Sequence, residues 1–293
     1  MNFTVVIPTC RRPDSLARCL KALPRGVEII VTDDSGDDAT RAMIAELFPH
    51  VRHIAGPRRG PAANRNHGAR AASGEWLAFT DDDCEPQPGW LDALAASAED
   101  AGVVEGRTDA PGAIDSPLEE YVESEGGGAF WSCNLGVRRD LFFSLGGFDE
   151  DFKEAAGEDM EFAWRVARAK LRVSFAPAAI VHHPSRRVGW RGVWKRIWMI
   201  RWMSLYRLKT GGAPELGAAP PQVAGALLVN EGARALRTAL HSLTRHSTRP
   251  LTQRFYAILR LLTLPLVLPC MLAWEFHFRR ILSARLHSAT PSK

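Results

Sequence analysis

The sequence predicts an α/β fold built on a doubly wound sheet. Two observations carry that expectation. Short apolar, β-branched runs such as Phe3–Ile7 and Val27–Val31 alternate with segments whose apolar residues recur at helical spacing. Each run also ends on strand-stopping residues, Pro8-Thr9 after the first and Asp33-Asp34-Ser35-Gly36 after the second.

The elements follow in order. Residues 3–7 (FTVVI) are continuously apolar, as in a parallel strand buried on both faces. Ser15–Leu23 places Leu16, Leu20 and Leu23 on one helical face, with Pro13-Asp14 as the start signal. Residues 27–31 form a second strand, 38–48 a second helix and 51–54 a third short strand. Residues 61–73 are small and Ala-rich, which suits a helix packed closely on a sheet. Trp76–Thr80 is a fourth strand, and it ends on Asp81-Asp82-Asp83. Ligands of such sheets sit beyond the carboxyl ends of the strands. Pro8-Thr9, Asp33-Asp34 and the Asp81–Asp83 triplet should therefore face one crevice. Residues 110–128, rich in Gly, Pro and acids, read as a mobile loop over it. Trp131–Arg138 reads as a strand, and Glu158–Ala169 as a helix with Phe162, Val166 and Ala169 on one face. Leu171–Phe175 and Ala179–His182 read as two more short strands, and Gly211–Pro221 as a linker. There is no internal repeat, no GxxxxGK[ST] loop and no GxGxxG.

Composition bounds the function. The chain has 293 residues, 46% hydrophobic and 24% charged, enough for one large domain with an appendage and too apolar for global disorder. A net charge of +4 is too mild to argue for nucleic acid. From Arg186 onward, however, Glu215, Glu231 and Glu275 are the only acids among many Arg and Lys, which suggests an anionic surface as partner. The five cysteines (Cys10, Cys19, Cys84, Cys133, Cys270) are scattered and without zinc spacing, as expected of reduced thiols in a cytosolic compartment. Phe3–Ile7 is too short for a signal-peptide core, and the basic residues follow it.

Three adjacent carboxylates after an apolar strand repel one another and lose hydration when packed. Either water solvates them on a turn, or a cation sits between them. The wider pattern bears on the choice. In order stand VVIPTCRRPDSLARCL, IIVTDDSGDD, ANRNHGARAASGEWLAFTDDDC, GGFDEDF and GEDMEFAWRV. Over roughly residues 2–185 these five blocks resemble the inverting family 2 glycosyltransferases of the GT-A fold. The resemblance implies a GT-A-type, Rossmann-like nucleotide-binding sheet flanked by helices. It also implies a nucleotide-sugar donor, here expected to be a UDP-sugar, a Mn²⁺ or Mg²⁺ ion, and transfer to the hydroxyl of a lipid-linked or glycan acceptor.

The resemblance assigns roles residue by residue. The family's DxD falls on Asp81 and Asp83, with Asp82 between them. Hard cations take carboxylate and phosphate oxygens; Asp83 is the expected direct ligand, and Asp81 would reach the ribose or the metal through water. Pro8, Thr9 and Arg11 would hold base and ribose, with Arg11 on phosphate. Asp34 matches the carboxylate that hydrogen-bonds the nucleobase, and Arg65 and Asn66 match the segment lining the nucleotide. Glu158-Asp159 matches the ED pair, in which Asp159 is the general base and Glu158 its orienting neighbour. Trp131 and Asn134 border the acceptor. His183, by its spacing from Pro177, is the better third metal ligand, since His182 would point the other way along a strand. The Gly146–Asp149 turn reads as structural, and Arg165 as a partner of phosphate or of Asp149. Plainer alternatives stand beside each role: solvated turns for the acids, helix capping for Glu158-Asp159, a surface Arg65, a core Trp131 and a satisfied histidine. Two other classes of protein are considered. A sugar nucleotidyltransferase would carry a Gly-rich loop where Pro8–Arg12 has no Gly, and an inactive membrane scaffold would not need intact acidic motifs.

The tail adds a second theme. Trp190, Trp194, Trp198 and Trp202 recur every four residues among Arg and Lys, which suits either a helix on an anionic membrane or one packed on the protein. Residues 261–274 are uncharged, but as a helix they would reach only about 21 Å, short of a ~30 Å hydrocarbon core, and Pro265 and Pro269 bend them. A re-entrant or interfacial anchor is expected there rather than a full span, with a buried dimer interface as the alternative. The organisation so read is a transferase domain over 1–210, a linker and helix over 211–250, and an apolar, basic anchor over 251–293, placing the chain at the cytoplasmic side of the cell membrane.

Overall fold

The computed structural model describes residues 1–112, 119–187 and 190–211, together with 269, 273–274, 276–278 and 280–281; within the helix at 190–210, side chains are described at 199 and 201–210. Two compact units separate, 1–113 with 121–185, and 114–120 with 186–293.

The first unit opens as β1 (Phe3–Thr9), α1 (Pro13–Ala22), β2 (Glu28–Asp33), α2 (Ala39–Leu47), β3 (Arg52–Ala55), α3 (Pro61–Ala71) and β4 (Trp76–Phe79). β1 lies parallel between β2 and β4, and all seven of its residues are buried, which accounts for its unbroken apolar run. α3 packs closely: a Cβ on Gly68 would come within 2.6 Å of Val6 Cγ1. Next come β5 (Glu85–Pro86), α4 (Trp90–Ser97), β6 (Val103–Asp109), then β7 (Glu119–Glu120) of the second unit, followed by β8 (Leu135–Arg138), α5 (Arg139–Ser144), α6 (Glu158–Arg168) and β9 (Val173–His182). The sheet order is β3-β2-β1-β4-β8-β6-β9-β5.

This sheet corrects the doubly wound expectation. It is mixed: β8 runs antiparallel to both β4 and β6, and β5 runs antiparallel to β9. Apolar runs buried on both faces do not reveal which way a neighbour points. Two boundaries also move. Trp131–Asn134 is a turn, closed by Asn134 N–H donating to Trp131 O at 3.0 Å, and the strand starts at Leu135. The two strands expected after Leu171 are one, β9, whose pairing with β6 jumps from Ala176 to Ile180. Pro177 lies in the skipped stretch, and a residue without N–H favours such a bulge.

Alternate residues of β1 feed the two faces of the sheet. Val5 and Ile7 pack with Leu16, Leu20, Val31 and Trp90; Val6 packs with Ile30, Leu77, Phe79 and Phe142 on the other side. On that second face, Phe79 meets Phe148 at 5.2 Å between ring centroids, and Phe148 meets Phe162 at 5.2 Å. Such tilted aromatic contacts pack well. They fasten the end of β4, just before the aspartates, to α6, which carries Glu158 and Asp159.

In the second unit, β7 pairs antiparallel with β10 (Arg186–Arg187), and Arg186 Nη2 donates to Glu120 Oε2 at 3.1 Å. α7 (Trp190–Thr210) is helical as the Trp spacing implies. Trp202, Leu205 and Tyr206 are buried, and the Trp202 ring lies 6.1 Å from Phe278. The Trp190, Trp194 and Trp198 side chains, the linker from 212 and most of the 261–274 segment lie outside the described residues. Among the described residues, no helix is long and apolar enough to cross a membrane.

Candidate active site

The carboxyl ends of β1, β2 and β4 meet. Asp34 N–H donates to Thr9 O at 2.9 Å, and Asn64 Nδ2 donates to Thr32 O at 2.9 Å and Thr9 O at 3.3 Å. Thr9 Oγ1 donates to Asp82 Oδ2 at 2.7 Å. Pro8 is buried in β1, opposite Thr32 of β2. Asp34 Oδ1 accepts Arg58 N–H at 2.8 Å, and burial raises the Asp34 carboxyl against that bond. Arg11 is exposed, with a φ of 58°. Its neighbour Arg12, which sequence reasoning passed over, is the residue that reaches the acids: its Nη1 lies 3.0 Å from Asp82 and 2.8 Å from Asp83. The Arg-Arg dipeptide after the strand was the only signal for it. Burial pushes the Asp82 carboxyl up to about 6 despite Thr9 and Arg12.

Arg65, on α3, joins the acidic triplet to the ED pair. Its Nη2 donates to Asp81 at 2.5 Å and its Nη1 to Glu158 at 3.1 Å, with Arg65 and Glu158 side chains only 3% and 2% exposed. Glu158 and Asp159 begin α6 after Gly157, whose φ of 95° suits the entry turn. Acids there also favour the helix dipole, so the capping role and the chemical one coexist. Asp159 Oδ1 accepts Met160 N–H at 2.8 Å. Burial raises both carboxyls, Glu158 to about 8 and Asp159 to about 6, while Arg65 pulls each back. One guanidinium faces three carboxylates, Asp81, Glu158 and Asp159. Glu158 Oε2 and Arg65 Nε are buried without a hydrogen-bond partner.

Two residues expected to meet ligands are engaged within the protein. Asn66 Nδ2 donates to Phe148 O at 2.8 Å and to Glu150 at 3.1 Å, and its Oδ1 accepts Phe148 N–H at 2.9 Å. It pins the Gly146–Asp149 turn to α3. Asn134 Oδ1 accepts the Trp90 indole N–H at 2.8 Å, and its Nδ2 donates to Arg107 O and Ala179 O at 2.8 and 2.9 Å. Both amide protons are taken, so neither is left for a sugar. Trp131 is half-buried, packs against the core and donates its indole N–H to Glu123 O at 3.2 Å. Arg165 is gripped by both carboxylate oxygens of Glu161, at 2.6 to 3.0 Å.

The ion-binding expectation divides. Asp81 is engaged by Arg65, whereas His183 Nε2 lies 3.7 Å from Asp83 Oδ1. His182 points away and hydrogen-bonds Asp109. Ligand atoms of Asp83, Cys84 and His183 all lie within 4.8 Å of one another. An oxygen and an imidazole nitrogen so placed fit a divalent ion. Cys84 was not anticipated in this role. It and the other described cysteines are free thiols.

A mixed α/β sheet that gathers carboxylates at the carboxyl ends of its strands is a GT-A-like fold. Residues 4–119 match the model of glycosyl transferase family 2. The "Pre-mycofactocin glycosyltransferase" of Mycobacterium tuberculosis is 29% identical over 264 residues, covering 79% of this chain and 51% of that protein. The "GalNAc(5)-diNAcBac-PP-undecaprenol beta-1,3-glucosyltransferase" of Campylobacter jejuni is 31% identical over 108 residues, 34% of this chain and 35% of that one. The chain thus spans about half the length, or less, of these relatives. Among solved structures, S. aureus TarS 1-349 in complex with UDP-GlcNAc aligns at TM-score 0.53 and 18% identity over 100% of this chain and 93% of its own. GalNAc-T7 with UDP, GalNAc and Mn²⁺ aligns at TM-score 0.53 and 21% identity over 78% and 53%. At these identities the likeness is one of fold.

Proposed function

We propose that the chain is an inverting, metal-dependent glycosyltransferase that moves a hexose from a UDP-sugar to a hydroxyl of a lipid-linked or glycan acceptor. The observation that carries this reading is the Arg65 bridge, which ties Asp81 of the acidic triplet to Glu158 beside Asp159. A donor-side and an acceptor-side carboxylate centre are thereby held in one crevice.

Asp83 and His183 would hold Mn²⁺ or Mg²⁺, whose charge offsets that of the departing diphosphate. Thr9, Asp34 and the backbone at the end of β1 would take the nucleoside, and Arg12, released from Asp82 and Asp83, would turn to phosphate. Asp159 takes the proton of the acceptor hydroxyl at Oδ2, because Oδ1 accepts Met160 N–H. Its raised pKa makes it a stronger base than a solvated aspartate. Glu158, fixed by Arg65, holds the first turn of α6 in place. Trp131, at the lip of the turn before β8, would offer an apolar face to the acceptor sugar.

The UDP-sugar reading draws on the nucleotides named for TarS and GalNAc-T7, and the lipid-linked acceptor on the undecaprenol named for the Campylobacter relative. The basic, aromatic residues after Arg186 support work on an anionic membrane surface, on its cytoplasmic side. Asp159→Asn should abolish transfer while nucleotide still binds. Transfer that survives removes Asp159 as the base.

A further inference from the structure

We propose that the chain also binds thiophilic divalent ions, Zn²⁺ foremost, through Cys84 with Asp83 and His183, and that such an ion excludes the harder ion of the transfer reaction. The inference rests on the metal-dependent reading above, because Asp83 and His183 are shared.

The sheet sets the geometry. β5 and β9 pair antiparallel with Glu85 opposite His182 and Pro86 opposite Val181. One step outward, the same register puts Cys84 opposite His183, while Asp83 is its chain neighbour. Among the described residues this is the one Asp/Glu/Cys/His group of three whose ligand atoms fall within 4.8 Å of each other. Cys84 and His183 are buried, and the Asp83 side chain is 13% exposed, so a bound ion would be largely shielded from water. A second thiol stands close: Cys133, also buried, shares the core cluster of Cys84.

The donor set decides the ion. Mg²⁺ and Mn²⁺ favour all-oxygen or oxygen-rich shells. Sulfur, imidazole nitrogen and carboxylate oxygen together are a zinc set, and three such ligands leave a fourth tetrahedral position for water or for Cys133. At a shared site Zn²⁺ also outranks Mn²⁺ in intrinsic affinity. As the metal–sulfur bond forms, the Cys84 thiol proton leaves to solvent and no electron is transferred. Among the described residues, half-exposed Arg12 is the side chain that must withdraw from Asp83.

Co²⁺ serves as the coloured probe. Titrated into the full chain without nucleotide, it should produce a near-ultraviolet thiolate-to-cobalt absorption that added Zn²⁺ erases. Cys84→Ala and Cys84→Ser should each lose the absorption and bind Zn²⁺ at least about tenfold more weakly, a change of ~1.4 kcal/mol. Circular dichroism checks that both variants fold. Mn²⁺ binding, read in parallel by electron paramagnetic resonance, separates the two readings. If Mn²⁺ binds but Co²⁺ shows no sulfur absorption, the thiophilic site is overturned and the metal-dependent transferase stands. If neither ion binds, both fall. An absorption that persists in both Cys84 variants places the ion on another thiol, such as exposed Cys10, and likewise overturns the proposal.

Discussion

Replacing Arg65 by Met removes the guanidinium that Asp81 and Glu158 share and leaves a side chain of similar length. The Glu158 carboxylate, 2% exposed, has no route to water, whereas Asp81, at 25%, can turn partly outward. Breaking a buried ion pair from one side costs about 3–5 kcal/mol. The Glu158 half carries most of that once its carboxyl, pushed up to about 8, is ionised, and the Asp81 half is discounted for screening, so the variant should lose roughly 3–4 kcal/mol at pH 9. The loss has a pH signature. Burial already raises Glu158 and Asp159, with Arg65 opposing it. Without Arg65 both carboxyls rise further. A carboxyl raised in the folded state contributes stability below its unfolded pKa and loses it as pH climbs through the folded value. The deficit of the variant should therefore be small near pH 5 and largest above about pH 8. Urea unfolding at roughly pH 5, 7 and 9 measures it. The double variant Arg65→Met/Glu158→Gln should recover about 2 kcal/mol, because the buried glutamate charge is then gone together with its partner. A deficit under about 1 kcal/mol, equal at all three pH values, would refute the claim that Arg65 neutralises this cluster.

Two further outcomes follow from the same geometry. The kcat/KM profile for transfer should rise through about pH 6 as Asp159 loses its proton; a rise near the ordinary aspartate value, about 4, would mean that burial does not tune the base. Asn66→Ala should cost about 2 kcal/mol, measured by urea unfolding, since the N–H and C=O of Phe148 lose their buried partner, yet leave nucleotide affinity within about twofold. A large loss of affinity at normal stability would restore Asn66 as a nucleotide contact.

The first half of the sheet was legible because parallel strands covered on both faces are written as plain apolar runs, as in β1 and β2. β6 was not: Glu105 and Arg107 interrupt its pattern. The Glu105 carboxylate is buried, accepting the N–H groups of Gly128 and Phe130, a long-range satisfaction that no local rule encodes. The acidic triplet and the ED pair could be found as ordered blocks. The duties of Asn66 and Asn134 could not, because their partners lie 82 and 44 residues away. Cys84 looked like one of five scattered cysteines until the β5–β9 register set it across from His183.

That short β5 has a consequence for how the crevice meets its ligands. On one flank of the aspartate turn, Thr80 N–H donates to Val6 O at 3.3 Å; on the other, Glu85 and Pro86 are stitched to β9. Only four residues lie between the two anchorages, Asp81 to Cys84. A segment tethered so tightly has little freedom left to surrender when an ion arrives, so association should draw on electrostatics rather than on coupled folding. Calorimetry of ion binding should accordingly register a small heat-capacity change, the signature of a socket already shaped.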